Sequence, residues 1–400
     1  MPVCESVDDA VSTRDRPKAA VVNATSRDVV LLGVGHTHAH VVRMWQQHAP
    51  PHARLTCVSD YPIATYSGML PGVLAGQYAP DDMQIDLHRL CAAAGAQLIV
   101  GTVTGLDLER REVRLEGQPP LPFDVLSIGL GSVPTTAGVC VTDTGPVVPT
   151  KPMQTFLSRL DARLIDVAAR RPGRSLKILI VGGGAGGVET ALCLPPHVRA
   201  RLGAHVPLLR TIVTAETEVL GGSLPATQRR VERVLAAQGV GVHRSTRVAA
   251  VDASNVTMAD GAVVPADVVV WATGAAAPPL LAALGLPTDG AGFLLTHETL
   301  QSVSGRPIFA VGDTGQIAGK RVPRAGVHAV RQGPVLWSNI QRTLTGQPLV
   351  SYVPQPSFLR LINTGNGRAV GEWKGLSFEG AWVRRWKDRI DRRFLDQYRP

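Results

Sequence analysis

DVVLLGVGHTHAHVV, residues Asp28 to Val42, runs from an apolar strand-like segment through two closely spaced glycines into a helix-like segment. This order predicts a turn that binds a dinucleotide. Gly33 makes the tight turn, and Gly35 lets the backbone approach a pyrophosphate at the positive N-terminus of the following helix. His38 stands where the motif G-x-G-x-x-G has its third glycine, so we expect looser packing of the helix on the strand.

A second segment of the same kind, KILIVGGGAGGVE, spans Lys177 to Glu189. It carries all three motif glycines, Gly182, Gly184 and Gly187, after a strand-like run. Either turn alone has the alternative of an ordinary glycine-rich turn between a strand and a helix. Their occurrence together disfavours that alternative and predicts two bound dinucleotides.

The composition indicates a folded chain of enzyme size. The sequence has 400 residues with 44% apolar side chains, enough for two or three domains. Its formal charge is +9, and between Arg360 and Pro400 ten basic side chains oppose five acidic ones. The five cysteines lie far apart without C-x-x-C or zinc-like spacing, which indicates a reducing cytoplasm.

Neither the polar N-terminal segment nor the longest uncharged run predicts a targeting signal or a transmembrane helix. Residues 1–27 are polar and charge-balanced, which argues against a secretory signal and an acid-poor transit peptide, so we predict a disordered leader. The longest uncharged run, Val268 to Thr288, contains Gly274, Pro278, Pro279 and Gly285. These residues predict a strand, a loop and a short helix instead of a transmembrane helix.

The first turn opens a strand-helix-strand unit, with strands Val29–Leu32 and Leu55–Val58 around a helix Thr37–Gln47. The second strand ends at Ser59, with Asp60 one residue later, and either residue is a candidate for the ribose hydroxyls. The following loop, TYSGMLPG, is either a surface turn or a place where backbone and small side chains such as Ser67 meet a flat ligand.

Beyond this loop, strands are predicted at Val100–Leu108 and Val113–Leu115 in an antiparallel excursion, and at Phe123–Ser132. A helix at Met153–Arg170 then leads to the second unit, where the strand Leu209–Val213 ends at Thr214.

Coenzyme choice is predicted from the residues after Thr214. Glu216 and Glu218 follow closely, and acids near a ribose disfavour a 2′-phosphate, so NADH is expected in preference to NADPH. Arg210 is the one argument to the contrary.

Five segments in this order resemble the flavoproteins with two dinucleotide-binding domains, within the pyridine nucleotide-disulfide oxidoreductase superfamily and close to type II NADH dehydrogenases. They are the two turns, LSIGLGSVP with Gly131, VVVWATG ending at Gly274, and IFAVGD ending at Asp313. The resemblance implies an α/β fold of two Rossmann-like domains that bind FAD and NAD(P)H. It also implies that Asp313 hydrogen-bonds the ribityl chain of FAD and that Gly312 lets the strand end approach it.

Placed on this chain, the resemblance gives an FAD-binding domain from residues 28–150 and 279–345, an NAD(P)H-binding domain at 151–278 and a C-terminal interface or membrane-association segment at 346–400. More narrowly, VGHTHAHVVRMW, TYSGMLPG and KPMQTFL are similar to the flavoprotein that occurs joined to selenide, water dikinase. His36 belongs to that pattern, either as a donor to a flavin phosphate or as a helix-start residue. Because no carboxylate or thiol lies at ligand spacing from it, no metal site is predicted.

Three further residues receive roles from the resemblance. Glu189 would lie by the nicotinamide edge, or it is a first-turn helix acid favoured by the helix dipole, and the sequence supports both interpretations equally. Gln332 matches the second glutamine that type II dehydrogenases present to a quinone, while Arg331 stands at the first. Lys151 would place a cation near the flavin, where negative charge develops on reduction, or it is an exposed lysine without a special role.

The cysteines and the C-terminus bear on the acceptor and on location. No cysteine follows Cys193, so electrons are expected to leave for a diffusible acceptor and not through a protein dithiol.

The C-terminal helix has an aromatic face, on which the residues Trp382, Trp386, Ile390 and Phe394 recur among basic side chains. That face lies either in an anionic membrane interface or on the core of the protein, and both interpretations are open. Nucleic acid is disfavoured because no recognition motif accompanies the charge.

The sequence thus predicts an FAD-dependent NADH dehydrogenase with ping-pong hydride transfer and a quinone-like acceptor. It would be cytoplasmic, with peripheral attachment to the inner face of the cytoplasmic membrane as a hypothesis, and a homodimer is compatible with it. The alternative is a flavoprotein with a redox-sensing or partner-binding role linked to selenium metabolism. Ser59, Thr214 and the altered glutamine positions keep that alternative open.

Overall fold

The computed structural model describes residues 26–399, so the predicted leader lies outside the described residues except for its last two positions. The α-helices are α1 (His36–His48), α2 (Leu70–Leu74), α3 (Leu87–Ala93), α4 (Phe156–Arg170), α5 (Ala185–Leu202), α6 (Pro225–Ala237), α7 (Leu280–Ala283), α8 (Gly326–Thr345) and α9 (Ala381–Asp396). Short 3₁₀ turns occupy Ser67–Met69, Pro80–Met83, Met153–Thr155 and Gly312–Thr314.

The first sheet has five parallel strands, and its fifth strand returns from late in the chain. In spatial order the strands are Ile308–Ala310, Val125–Ile128, Arg27–Leu32, Ala53–Ser59 and Gln97–Val100. The central strand is buried on both faces, as expected where a parallel sheet is covered on both sides. Helices α1 and α8 pack together on one face. The other face carries the antiparallel strands Val103–Asp107, Glu112–Leu115 and Leu121–Pro122.

The second sheet repeats this plan within one continuous stretch of chain. Its five parallel strands are, in spatial order, Val147–Pro149, Val268–Trp271, Leu176–Val181, Leu208–Val213 and Val240–His243. Helices α4 and α5 cover one face. A four-stranded sheet covers the other and consists of Cys140–Val141, Val248–Val251, Asn255–Met258 and Val263–Pro265.

The C-terminal module is an antiparallel sheet followed by α9. Its strands are Arg360–Asn363, Ala369–Trp373 and Leu376–Gly380. The sheet packs on α5 and α6, and α9 packs across it. Short strand pairs elsewhere join Ile63–Thr65 to Gln84–Asp86, Val133–Pro134 to Ala275–Ala276, and Leu294–Thr296 to Gly315–Ile317.

The predicted α/β architecture with two Rossmann-type units is confirmed by these two parallel sheets. Two strand predictions need correction. Val100–Leu108 divides at a turn, because Gln97–Val100 joins the parallel sheet while Val103–Asp107 pairs in the antiparallel one. The strand predicted at Phe123–Ser132 is regular only from Val125 to Ile128.

The apolar run from Val268 supplies a sheet strand and α7, as its prolines and glycines predict. Within residues 26–399, none of the helices combines the length and the apolar character that crossing a bilayer requires.

Candidate functional site

The first turn leaves the N-terminus of α1 open. Gly33 has φ +75°, and a Cβ there would lie 2.5 Å from the carbonyl oxygen of Gly129, so only glycine fits. Gly35 is the residue before α1, and a Cβ on it would meet nothing within 4 Å. The first turn of α1 contains no acidic side chain and no side-chain cap. Its backbone N–H groups and the helix dipole therefore form a site suited to a pyrophosphate.

His38 is buried and packs against the backbone of this turn. Its side chain is only 1% exposed. Its Nδ1 contacts the Gly33 carbonyl oxygen, and its Nε2 lies 2.8 Å from the Ser127 hydroxyl. A carbonyl can only accept, so Nδ1 carries the proton and Nε2 accepts from Ser127. Burial lowers the pKa of His38 to about 4, and the imidazole is neutral at physiological pH.

His36 lies in an aromatic enclosure with Tyr66 and Phe394. Its ring centroid is 5.4 Å from that of Tyr66 and 5.6 Å from that of Phe394, and these two rings stack at 4.5 Å. Burial lowers the pKa of His36 to about 4, with Asp313 opposing the shift. The buried His36 Nε2 has no hydrogen-bond partner among the described residues.

Asp313 and Lys151, predicted separately, meet at one point. Asp313 Oδ2 accepts from Lys151 Nζ at 3.0 Å and from the Ser132 hydroxyl at 2.7 Å, and Lys151 Nζ also contacts Ser132 Oγ at 2.6 Å. Burial raises the pKa of Asp313, but Lys151 and the Ser132 hydrogen bond outweigh it and hold the pKa below its ordinary value. The carboxylate is therefore ionised and fixed in position.

A small pocket of about 10 Å³, room for about one water molecule, adjoins Asp313 and the first turn of α8. Gly312 precedes the carboxylate with φ +62°, and its N–H donates to Gln332 Oε1 at 2.6 Å. Gln332 is thus engaged with the strand end, and His328 lines the same cavity. The N-terminus of a helix of this length favours negative charge in front of it.

The second turn has glycine at all three motif positions, and close backbone contacts require it at two of them. A Cβ on Gly182, which has φ +122°, would lie 2.2 Å from the Ala272 carbonyl oxygen. A Cβ on Gly187 would lie 1.9 Å from the Gly182 carbonyl oxygen. Gly184 caps α5 and is exposed, again with no acid in the first helical turn. This helix N-terminus is equally suited to a dinucleotide pyrophosphate.

The strand Leu208–Val213, next to the second turn, ends beside the expected position of the NAD(P)H ribose. Thr214 is buried beside Gly183, and its Oγ1 accepts from the N–H of Glu216. Glu216 and Glu218 are exposed. Arg210 points into the protein, where it donates to the carbonyl oxygens of Ala191 and Gln238 at 2.7 and 2.6 Å. It is therefore not directed towards a ribose phosphate.

Glu189 lies in the second turn of α5 and contacts the C-terminal module. Its Oε1 accepts from the N–H of Asn363 at 2.7 Å. Burial raises the pKa of Glu189 to about 7, against the opposing effect of Lys387. Cys193, one helical turn later, is buried, and burial raises its pKa well above the ordinary value, so it stays a thiol.

The other predicted residues surround these two turns. Ser59 ends its strand and Asp60 is exposed directly after it. Ser67 is exposed at the start of a 3₁₀ turn. The N–H of Gly131 donates to Thr314 Oγ1, and the carbonyl oxygen of Gly274 accepts from Thr135.

Ser132, Tyr66 and Asn363 were not singled out from the sequence. Ser132 directly follows Gly131 and precedes the short strand Val133–Pro134, and this glycine-rich segment is the signal that could have found it. Tyr66 and Asn363 carry no such signal, because their contacts lie 325 and 174 residues away in the chain. Among residues 26–399, no group of three or more histidine, cysteine or acidic side chains is arranged to hold a metal.

Comparisons with known proteins agree with this geometry. The family model for the pyridine nucleotide-disulphide oxidoreductases matches residues 27–333. The demethylphylloquinone reductase NdbB of Synechocystis is 28% identical over 353 residues, covering 84% of this chain and 83% of that protein. Human ferroptosis suppressor protein 1 is 26% identical over 300 residues, covering 72% and 74%.

Two solved structures show the same fold. The sulfide:quinone oxidoreductase of Aquifex aeolicus superposes with a TM-score of 0.77 at 19% identity, covering 94% of this chain and 92% of that chain. NDH2 of Plasmodium falciparum in complex with NADH gives 0.77 at 13% identity, covering 93% and 97%. The chain belongs to the pyridine nucleotide-disulphide oxidoreductase family, and it is an FAD-dependent NAD(P)H dehydrogenase of the type II NADH dehydrogenase kind.

Proposed function

We propose that this protein oxidises NADH and reduces a quinone-like acceptor, working at the surface of a membrane. The observation that carries the proposal is the pair of open helix N-termini at Gly35 and Gly184, each preceded by a glycine turn that admits backbone close to a phosphate. Bound FAD would supply the redox chemistry, taking a hydride from the nicotinamide and giving two electrons to the acceptor. The chain itself would bind FAD and NADH, orient them towards each other and exclude water from the site.

FAD is proposed for the first turn. The fixed carboxylate of Asp313 would accept from ribityl hydroxyls, and Lys151 beside it would offset negative charge. His36 Nε2, buried and unpartnered within the described residues, is a candidate donor or acceptor for the same ligand. The N-terminus of α8, which has no acidic side chain in its first turn, would favour a group that gains negative charge in front of it.

NADH is proposed for the second turn. The exposed carboxylates Glu216 and Glu218 follow the strand end, and they would repel a 2′-phosphate. The inward direction of Arg210 removes the basic residue that would have attracted one. Glu189 remains the candidate for the nicotinamide edge.

A quinone-like acceptor is supported by two observations. The Synechocystis relative is by its name a demethylphylloquinone reductase. The aromatic enclosure of His36, Tyr66 and Phe394 offers flat apolar faces next to the first turn, as a quinone ring requires.

Attachment to an anionic membrane is proposed for an aromatic patch on the C-terminal module. Trp373, Leu376, Trp382 and Ile390 are 43%, 69%, 49% and 38% exposed, and the ring of Trp386 stacks among them. The exposed basic residues Arg385 and Arg389 lie on the same helix. Exposed tryptophans beside basic side chains are typical of a helix lying in an interface with anionic lipid.

The flavin assignment is tested by Asp313→Ala, with the exposed Asp260→Ala as a matched control. We expect Asp313→Ala to be purified with little FAD and Asp260→Ala with a full complement, by absorbance after extraction. Full flavin in Asp313→Ala would refute the role of this carboxylate.

The reaction is tested by anaerobic mixing of the purified flavoprotein with NADH or NADPH. We expect rapid bleaching of the flavin band by NADH and recovery on addition of a short-chain quinone. If neither nucleotide bleaches the band, the proposed transfer from NADH to a quinone-like acceptor is wrong, and the redox-sensing alternative takes its place.

Membrane attachment is tested by sedimentation with vesicles that contain anionic lipid. The double variant Leu376→Ser, Trp382→Ser should lose binding, and added salt should weaken binding by the wild type. Val353→Ser removes an apolar side chain of 79% exposure outside the patch and should bind normally. Equal binding by the double variant would exclude the patch as the attachment site.

A further inference from the structure

The return loop, residues 346–359, follows α8 and brings a buried tyrosine back to the start of that helix. The loop is fixed along α8 by Asn339, which donates to the Val350 carbonyl oxygen at 2.9 Å and accepts from the Val350 N–H at 2.8 Å. The N–H of Tyr352 then donates to the Glu298 carbonyl oxygen at 2.8 Å. These backbone contacts hold Tyr352 in one position.

The side chain of Tyr352 contacts His328 in the first turn of α8. Tyr352 Oη and His328 Nδ1 lie 2.9 Å apart. Tyr352 is only 3% exposed and His328 only 4%. Phe358, from the same loop, packs against the imidazole in a T-shaped arrangement with ring centroids 5.9 Å apart. The hydrogen bond between the two side chains is therefore shielded from water.

Hydrogen-bond satisfaction decides which nitrogen of His328 carries the proton. Nδ1 has the Tyr352 hydroxyl as its partner, whereas Nε2 has none in the part of the chain that the structure describes. If Nδ1 donated, the Tyr352 hydroxyl hydrogen would be buried without an acceptor, which is costly. If the hydroxyl donates, Tyr352 is satisfied and Nε2 carries the proton. The pair therefore favours the Nε2–H form of the imidazole.

Both groups are neutral at physiological pH. Burial lowers the pKa of His328, and the charge of Arg331 lowers it further. Burial raises the pKa of Tyr352 against the opposing effect of Arg331. His328 is therefore an uncharged hydrogen-bond donor, and Tyr352 keeps the proton that it donates to Nδ1.

His328 lies where two helix N-termini meet. It lines the small pocket beside Asp313 and Gly312. Thr37, in the first turn of α1, donates to the Ala329 carbonyl oxygen of α8 at 2.7 Å, so the two helices begin side by side. Neither first turn contains an acidic side chain. A further N–H donor at this point adds to the positive potential of the two helix N-termini.

We propose that Tyr352 is a positioning residue, which holds His328 as an Nε2–H donor to the bound flavin. The donor stabilises the negative charge that the flavin gains on reduction, and it thereby raises the reduction potential. The return loop thus adjusts the flavin from outside the nucleotide-binding turns. The inference rests on the placement of FAD in the proposed function. A purely structural pair would stabilise the fold and leave the potential unchanged.

The first test is the flavin midpoint potential, measured by equilibration of the flavoprotein with a reference dye. In His328→Leu we expect the equilibrium to shift roughly tenfold against the reduced form, a fall of about 30 mV for a two-electron couple. His328→Gln places an amide N–H near the position of Nε2 and should restore the wild-type equilibrium to within about twofold. His297→Leu removes an exposed histidine close to Glu298 and should have no effect. An unmoved potential in His328→Leu would overturn the proposal.

The second test reads the tautomer directly, from the nitrogen chemical shifts of protein labelled with ¹⁵N-histidine. His328→Gln identifies the signals, and we expect the Nε2–H form in the wild type. Tyr352→Phe should populate both tautomers and shift the flavin equilibrium roughly threefold against the reduced form. Tyr398→Phe alters another buried tyrosine and should change neither quantity. If Tyr352→Phe keeps the pure Nε2–H form, or the wild-type potential, its positioning role is refuted.

Failure of the FAD placement gives a different pattern. Full flavin in Asp313→Ala would show that the placement itself is wrong. Loss of flavin in Asp313→Ala, together with an unmoved potential in His328→Leu, would refute only the inference about His328. If His328→Leu does not fold, Tyr352→Phe, which removes a single oxygen atom, decides the question through the tautomer and the potential together.

Discussion

The two nucleotide-binding turns perform the same task with different residues. In both, a glycine at the strand end has positive φ, Gly33 at +75° and Gly182 at +122°, because the chain must pass a carbonyl of the neighbouring strand end. They differ at the third motif position. There Gly187 brings α5 directly onto the Gly182 carbonyl oxygen, whereas His38 fills the space with an imidazole that contacts Gly33 and Ser127.

The difference shows that the third glycine is one solution to a packing requirement. What both turns need is a satisfied carbonyl and no void between helix and strand. The second turn meets this need by close backbone contact, and the first by a buried neutral side chain that bridges to Ser127 on the neighbouring strand Val125–Ile128. We expect the first turn to depend on hydrogen bonding and protonation, and the second on steric fit.

Gly187→Ala should have the largest effect. Its Cβ would lie 1.9 Å from a backbone oxygen that cannot move freely, so we expect about 3 kcal/mol of destabilisation and severe loss of NADH-dependent reduction. Denaturant unfolding and stopped-flow reduction measure the two effects. The exposed Gly186→Ala, on the same helix with nothing within 4 Å of its Cβ, is the control. Equal behaviour of the two variants would show that the contact at Gly187 is not limiting.

His38→Ala should come next, with a loss of about 2 kcal/mol, because it leaves the Ser127 hydroxyl unpaired and opens a cavity. FAD retention should fall while the apparent affinity for NADH in the remaining flavoprotein stays unchanged. His38→Gly would place a third glycine in the first turn and should not restore FAD retention, since the backbone there is spaced for an imidazole. Restoration by glycine would make the two turns equivalent.

Acid should weaken the first turn through its two buried imidazoles. The pKa values of His36 and His38 in the folded protein, about 4, lie below the ordinary value of 6.5, so the unfolded chain binds protons first as pH falls. Stability is complete above about pH 6.5 and declines towards pH 4, by at most about 1.4 kcal/mol per pH unit for each histidine. The pH dependence of unfolding in the wild type should be steeper than in His38→Asn, and identical slopes would contradict this account.

Coenzyme choice should show the smallest effect. NADH should be used at least several-fold better than NADPH, and Glu216→Gln with Glu218→Gln should raise the use of NADPH several-fold by removing repulsion, worth about 1 kcal/mol or less. The ratio of kcat/KM values for the two nucleotides measures it. An unchanged ratio would mean that neither carboxylate faces the ribose.

The glycine turns and the IFAVGD strand end could be predicted because their constraints lie within a few residues of chain. A backbone that must pass a phosphate or a carbonyl requires glycine at that position, and the sequence records it directly. The partners could not be predicted in the same way. His38 meets Ser127 89 residues later, and Lys151 meets Asp313 162 residues later, and neither pair has a local pattern.

The C-terminal helix shows the same limit. Its four-residue spacing predicted a helix with Trp382 and Ile390 on one face, and both are exposed. The face that docks on the protein instead carries Val383, Lys387, Asp391 and Leu395. In the sequence, Lys387 and Asp391 resemble any solvated pair four residues apart, since burial depends on the loop at Tyr66 and Gly68 that covers them.

The sequence by itself determined the α/β class, the two phosphate-binding turns and the helical form of the C-terminus, because glycine placement and apolar periodicity are local properties of the chain. Only the tertiary structure decided that His38 bridges strands, that Gln332 is tied to Gly312, and that Glu189 accepts from the N–H of Asn363. These features depend on desolvation and on contacts between separate segments of the chain, and such quantities exist only once the chain has folded.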